Sequence, residues 1–212
     1  MIIYYNTEFK GGRPESRRLL EKAFARHTGD PALATELISK LKTGDQGKPY
    51  IDGFCRFSVS HTGSVWAVLV DPEECGLDIQ LGRKCDAKAI AARVFAPEDV
   101  ARLTELSAKY TDADRNAETS ADTAASRERD LFFRIWARRE ALAKALGGTA
   151  FDSALPPVLT GRAEVNGKVY TITDISFPDM PDLYAAVCFE ERCAGCASDI
   201  QAVAELSFER LE

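Results

Sequence analysis

Apolar residues recur along this chain at two spacings, and the alternation between the two predicts a mixed helix and strand protein. Met1-Ile2-Ile3-Tyr4-Tyr5-Asn6 reads as a first strand, and Lys10-Gly11-Gly12-Arg13-Pro14 turns the chain after it. From Glu15 to His27 the spacing of Leu19, Leu20, Ala23 and Phe24 predicts an amphipathic helix. A second helix is expected from Pro31 to Leu41, with Leu33, Leu37, Ile38 and Leu41 inward, broken by Gly44-Asp45-Gln46-Gly47-Lys48-Pro49. Phe54 to Ser60 alternates Phe57 and Val59 against Arg56, Ser58 and Ser60, and Val65 to Val70 is a compact apolar run. Two strands joined by a turn at His61-Thr62-Gly63 are the expectation.

Beyond Gly76 comes a short strand, a helix through Ala87 to Phe95, a break at Pro97 and a short helix from Glu98 to Leu106. Lys109 to Arg129 is polar and almost devoid of large apolar residues, which predicts a mobile surface segment and a candidate for docking a partner. Leu131 to Leu146, closed by Gly147-Gly148, is the longest expected helix. Val165-Asn166-Gly167-Lys168 signals a hairpin, and Leu183 to Phe189 is a core strand. Val65-Trp66-Ala67-Val68-Leu69-Val70-Asp71 and Leu183-Tyr184-Ala185-Ala186-Val187-Cys188-Phe189 echo one another faintly. The echo fits two similar α/β halves, 1–74 and 75–198, with 199–212 as a tail returning across the body.

Composition narrows the functions available. The chain has 212 residues, 45% hydrophobic and 28% charged, which is enough for a sizeable core. A net charge of −6 argues against nucleic acid as the main partner. No segment reaches the ~18 consecutive apolar residues of a membrane span, and the N-terminus lacks the features of a signal peptide. A cytoplasmic protein with no membrane partner is the expectation. Of six cysteines only Cys193 and Cys196 are closely spaced, and without a second ligand pair they read as reduced thiols in a late turn.

The chemistry concentrates in two stretches. In Cys75-Gly76-Leu77-Asp78-Ile79-Gln80, Asp78 and Gln80 fall on one face of a strand, because alternate residues point the same way. In Trp136-Ala137-Arg138-Arg139-Glu140-Ala141-Leu142-Ala143-Lys144, the steps from Trp136 to Glu140 to Lys144 drift by only ~40° each on a helix. A carboxylate and an ammonium thus lie together beside a large aromatic. Oxygen ligands on a strand facing a Glu/Lys helix are suited to holding a hard cation against a phosphate. An ordinary surface pair on the helix and a solvent-facing aspartate at a strand end are the alternatives.

Gly47-Lys48-Pro49, Phe57-Ser58-Val59-Ser60-His61-Thr62-Gly63, Gly76 to Gln80 and Trp136 to Lys144, taken in order, resemble the 4′-phosphopantetheinyl transferases of the surfactin-synthetase-activating type, from about Arg17 to Phe189. The resemblance implies an α+β fold of two similar halves in a pseudo-two-fold arrangement. It also implies an enzyme that moves the 4′-phosphopantetheine arm of coenzyme A to a serine of an apo acyl or peptidyl carrier protein. Magnesium is the implied metal and adenosine 3′,5′-bisphosphate the by-product. Carried over residue by residue, Asp78, Gln80 and Glu140 become metal ligands, and Glu140, Lys144 and His61 become catalytic. Arg17, Lys48, Ser60, His61, Arg139 and Lys144 become contacts to coenzyme A, with Arg18 competing with Arg17 for the 3′-phosphate and Lys10 and Arg13 nearby. Two departures stand out: Gln80 occupies a position where many members carry Glu, and Arg139 replaces a lysine. A weakened paralogue that binds coenzyme A or carriers without efficient transfer is the alternative. Two fused halves would let a monomer complete the site.

Overall fold

The computed structural model describes residues 1–114, 121–191 and 206–212. Its first sheet contains β1 (Ile2–Asn6), β4 (Arg56–Thr62), β5 (Val65–Asp71) and β10 (Ser207–Arg210), in the order β10-β1-β5-β4. Its second contains β6 (Cys75–Leu81), β7 (Arg162–Val165), β8 (Lys168–Ile175) and β9 (Leu183–Glu190), in the order β6-β9-β8-β7. Only the β1/β10 pair is parallel among these. A small hairpin, β2 (Lys42–Thr43) with β3 (Pro49–Tyr50), stands apart.

Alternation along the strands sorts the side chains into layers. Ile3, Tyr5, Ala67 and Leu69 of the first sheet share one apolar cluster with Leu77, Ile79, Ala185 and Val187 of the second. The other face of the first sheet, with Tyr4, Trp66, Val68 and Val70, is covered by α1 (Arg13–Thr28) and α2 (Pro31–Ser39) through Leu19, Leu20, Phe24, Leu37 and Ile38. The other face of the second sheet, with Tyr170, Ile172, Ala186 and Cys188, packs beneath α3 (Ala87–Val94), α4 (Pro97–Asp114) and α5 (Ala121–Leu146).

The sheets meet edge to edge at β4 and β6, through side chains. The Ser58, Ser60 and Thr62 hydroxyls accept hydrogen bonds from the backbone N–H groups of Leu77 (3.0 Å), Ile79 (3.2 Å) and Leu81 (3.2 Å). Hydroxyls at every second residue of one strand thus stand in for the carbonyls of a ladder. On the outer side of β6, α5 approaches so closely that a Cβ on Gly76 would lie 1.9 Å from the Ala141 carbonyl oxygen and 2.7 Å from the Ala145 nitrogen. No side chain larger than hydrogen fits there. Gly147, in the left-handed region at φ 72°, ends α5, and the Gly148 N–H closes back on the Ala143 carbonyl at 2.8 Å.

Several expectations are corrected. Lys109 to Asp114 is helical as the end of α4, and α5 begins at Ala121 rather than Leu131. A stretch poor in large apolar residues cannot form a core, but Ala, Glu and Arg are good helix formers, so the composition forbids burial and not helicity. His61 and Thr62 lie within β4 rather than in a turn, because the seam carries the strand on to Thr62. Leu33 is 38% exposed, and Ala34 takes the inward position beside Leu37 and Ile38. Cys193 and Cys196 lie outside the described residues. No described helix is long and apolar enough to cross a membrane.

Candidate active site

Strand β6 and helix α5 bring the two chemical stretches of the sequence together. Asp78 lies on the face of β6 that α5 covers and is 6% exposed. Its Oδ1 accepts from Lys144 Nζ at 2.7 Å and from Ser60 Oγ at 2.9 Å, while Lys144 also donates to Ser60 Oγ at 3.0 Å. Asp78 Oδ2 is buried with no hydrogen-bond partner among the described residues. Leaving a buried acceptor of this kind unpaired costs about 1–3 kcal/mol, and more when it is charged.

Glu140 stands one helical turn before Lys144 and makes no hydrogen bond among the described residues. Burial first, then the negative charge of Asp78, push its carboxyl above the ordinary glutamate value; Lys144 and Arg139 oppose the shift without cancelling it. Glu140, Lys144, Asp78, Gln80, Ser60 and His61 all border one cavity of about 410 Å³, with Phe132, Phe133 and Trp136 as an aromatic wall. Its size and mixed lining are those of a ligand pocket. A second cavity of about 370 Å³ shares Val59, Glu140 and Lys144 with it and runs towards Gly47-Lys48-Pro49.

Counting donors separates the predicted contacts. His61 is exposed at the cavity edge, with Phe9 tilted against its ring at 5.2 Å, and its ring nitrogens make no hydrogen bond among the described residues. Lys144 has three N–H groups and uses two, leaving one for a ligand. Gln80 directs its Nε2 to the Leu81 carbonyl (2.9 Å), so the amide oxygen remains available.

The other predicted contacts are committed inside the protein. Lys48 borders the second cavity, but its three N–H groups go to Glu74 (2.9 Å) and to the carbonyls of Cys75 and Ala145 (both 3.2 Å). Ser60 gives its one proton to Asp78 and accepts from both Ile79 and Lys144, so none is left for a phosphate.

Arg139 borders neither of these two cavities. It is 1% exposed, and its guanidinium donates to the carbonyls of Ala150 (2.8 Å), Asp152 (2.7 Å) and Leu155 (3.4 Å). One residue before Glu140, it points 100° away on the helix and ties down the loop after α5. Arg17 is exposed and holds α1 to the end of α2 by donating to the Ile38 carbonyl at 2.7 Å. Arg17, Arg18, Lys10 and Arg13 border neither cavity.

Sequence reasoning missed three features. Arg83 and Cys85, just past the end of β6, border the first cavity, and position relative to the strand end was the available signal. Gly76 read as a strand residue, although a glycine inside a strand pattern marks close backbone approach. The alternation of Ser58, Ser60 and Thr62 was visible, but its use as a seam was not.

The donor set suits magnesium. Two carboxylates and an amide oxygen are hard oxygen ligands, and an ion that keeps several waters needs no more from the protein. The unpaired Asp78 Oδ2 is the atom such an ion would satisfy. Among the described residues no group of three His, Cys, Asp or Glu side chains converges, so Gln80 and water would have to complete the sphere.

Comparison with known proteins places this geometry in context. Residues 74–158, which run from the start of β6 past the end of α5, match the model of the 4′-phosphopantetheinyl transferase superfamily. The chain is 32% identical over 132 residues to a 4′-phosphopantetheinyl transferase AcpT of Salmonella typhi, covering 58% of this chain and 60% of that relative. It is 26% identical over 181 residues to the 4′-phosphopantetheinyl transferase AcpT of Escherichia coli K12, covering 84% of this chain and 76% of that protein.

Proposed function

We propose that this chain transfers the 4′-phosphopantetheine arm of coenzyme A to a serine of an apo acyl or peptidyl carrier protein. The observation that carries the reading is the convergence on one cavity of Glu140, Lys144 and an Asp78 carboxylate with an unpaired buried oxygen. The match of 74–158 to the transferase superfamily supports it. The surfactin-synthetase-activating subtype, with two halves related by a pseudo-two-fold and divided at 74/75, is part of the proposal, as are a monomeric state, a cytoplasmic location and no nucleic-acid or membrane partner.

Held by Asp78, Glu140 and the Gln80 amide oxygen, magnesium would neutralise charge on the coenzyme pyrophosphate. The protein's own groups do the rest. Lys144 turns its remaining N–H towards the phosphate oxygens, and His61 donates from the cavity edge. Glu140, at the junction of the two cavities, takes the proton of the carrier serine. The serine oxygen forms a bond to the phosphorus of the phosphopantetheine, the bond from that phosphorus to the bridging oxygen breaks, and adenosine 3′,5′-bisphosphate leaves with the electron pair.

Intact-mass measurement of apo carrier proteins incubated with coenzyme A, magnesium and the enzyme tests this. Addition of one phosphopantetheine mass to a carrier is the expected result; unmodified fatty-acid, polyketide and peptide-synthetase carriers alike would overturn it.

Gln80 favours a second reading, a paralogue that retains binding while turnover is weakened. The amide lacks the charge that a glutamate would add beside Asp78 and Glu140. Gln80→Glu should lower the magnesium concentration needed for half-maximal transfer; an unchanged magnesium titration would show that the amide costs nothing.

A further inference from the structure

Phe151 is the most exposed large apolar side chain among the described residues, at 70%. Leaving such a ring in water forgoes a burial that elsewhere favours the fold. Yet this ring is held in place. The buried Arg139 donates to the carbonyls of Ala150 and Asp152 on either side of it. The Asp152 N–H closes a turn onto the Thr149 carbonyl at 3.1 Å, and the Asp152 side chain accepts from the Ala154 N–H at 2.9 Å. The ring itself meets Trp136 edge to face, with centroids 6.0 Å apart at 77°. An aromatic carried on a tethered backbone and left uncovered can be covered by a flat ligand.

The cavity it borders says which ligand. Phe151 and Thr149 line the second cavity together with Gly47 and Pro49, and Glu140 and Lys144 line both cavities. Asp78, Gln80 and His61 border only the first. In a phosphoryl transfer the attacking and leaving oxygens lie roughly in line on opposite sides of phosphorus. If the serine attacks on the carboxylate side, the leaving nucleotide points along the second cavity, towards Phe151. Every nucleobase has an apolar π-face, and stacking on an aromatic side chain binds it without a designed set of hydrogen bonds.

We infer that Phe151 is the stacking platform for the purine base of the coenzyme's nucleotide half. The inference rests on the proposed transfer from coenzyme A and adds the residue that recognises the base.

Calorimetry of the full chain with adenosine 3′,5′-bisphosphate, which has the base and lacks the arm, is the test. Phe151→Ala should weaken its binding by between about fivefold and a hundredfold. Phe151→Trp should keep it near the wild-type value. Pantetheine 4′-diphosphate, which has the arm and pyrophosphate without the base, should bind wild type and Phe151→Ala equally. Because the residue is exposed, an unchanged Tm in both variants is the expected control for folding. Equal binding of the bisphosphate by wild type and Phe151→Ala overturns the inference, as does a loss confined to KM for the carrier, which would make Phe151 a carrier contact. Wild-type protein that neither binds the bisphosphate nor modifies any carrier removes the proposed function along with it.

Discussion

The two sheets carry their helices differently, and the site follows from the difference. On the first sheet, α1 meets Trp66, Val68 and Val70 with Leu19, Leu20 and Phe24, a layer of large side chains broken by two polar exchanges, Trp66 Nε1 to Ser16 Oγ at 2.8 Å and the Tyr4 hydroxyl with His27 Nδ1 at 3.3 Å. On the second, α5 meets β6 with Ala141 and Ala145 against Gly76, almost backbone to backbone. Large residues fill the space between helix and sheet and leave no room for chemistry. Small ones let the helix settle, so that the longer side chains one position before each alanine, Glu140 and Lys144, reach along the sheet to Asp78. Enclosure near Asp78 is also what raises the proton affinity of Glu140.

Changing one carboxylate on each helix should separate them most. Glu140→Gln is expected to lower transfer about 10²–10⁴-fold, the worth of a general base, with little change in Tm because Glu140 makes no hydrogen bond among the described residues. Glu21→Gln on α1 should leave transfer unchanged. Carrier modification timed by mass spectrometry reads both, and equal rates for Glu140→Gln and wild type would sink the assignment of the base.

Next in size is the packing itself. Gly76→Ala drives a methyl into the Ala141 carbonyl and should cost about 1–3 kcal/mol or more in thermal unfolding, since backbone has to move to admit it. Val68→Ala under α1 should destabilise for the opposite reason, by leaving space. A Gly76→Ala protein as stable as wild type would mean that α5 does not lie as close as described.

The smallest effect concerns acid. The far side of α5 is anchored by Arg138 and Arg134, which donate to Asp174 on β8 at 2.6 Å each. Burial alone would raise the Asp174 pKa, but the hydrogen bonds from Arg138 and then Arg134 outweigh it and hold the carboxyl below its ordinary value. A carboxylate with a lowered folded-state pKa contributes stability above the unfolded value of about 3.9, and that contribution disappears as pH falls through the folded value. Asp174→Asn should therefore lose stability near neutrality, with its deficit shrinking below about pH 4. Tm measured against pH checks this; a deficit constant across the acid range would assign the contribution to packing.

Much of this was legible in the chain, and what was not has a common cause. The 3.6-residue spacing of Leu19, Leu20, Ala23 and Phe24 marks α1 because one periodic face is all that a helix on a sheet requires. Four-residue steps likewise place Trp136, Glu140 and Lys144 on one cavity. Periodicity says nothing about which carbonyl a long cation will find. Lys48 and Arg139 read as phosphate contacts, yet Lys48 donates to Glu74 and two backbone carbonyls, and Arg139 to backbone carbonyls, that only the tertiary fold brings to them. The helical ends of α4 and α5 were hidden because a polar composition was read for burial when it should have been read for propensity.

The hydroxyl seam between β4 and β6 has a consequence for variation. Backbone ladders form with nearly any sequence, whereas this joint exists only where Ser58, Ser60 and Thr62 supply an oxygen, so it can be edited one rung at a time without touching either sheet. Its middle rung is also the hydroxyl that donates to Asp78. One oxygen atom therefore serves both the alignment of the two sheets and the hydrogen bonding of the Asp78 carboxylate between them, and a change to it reaches both.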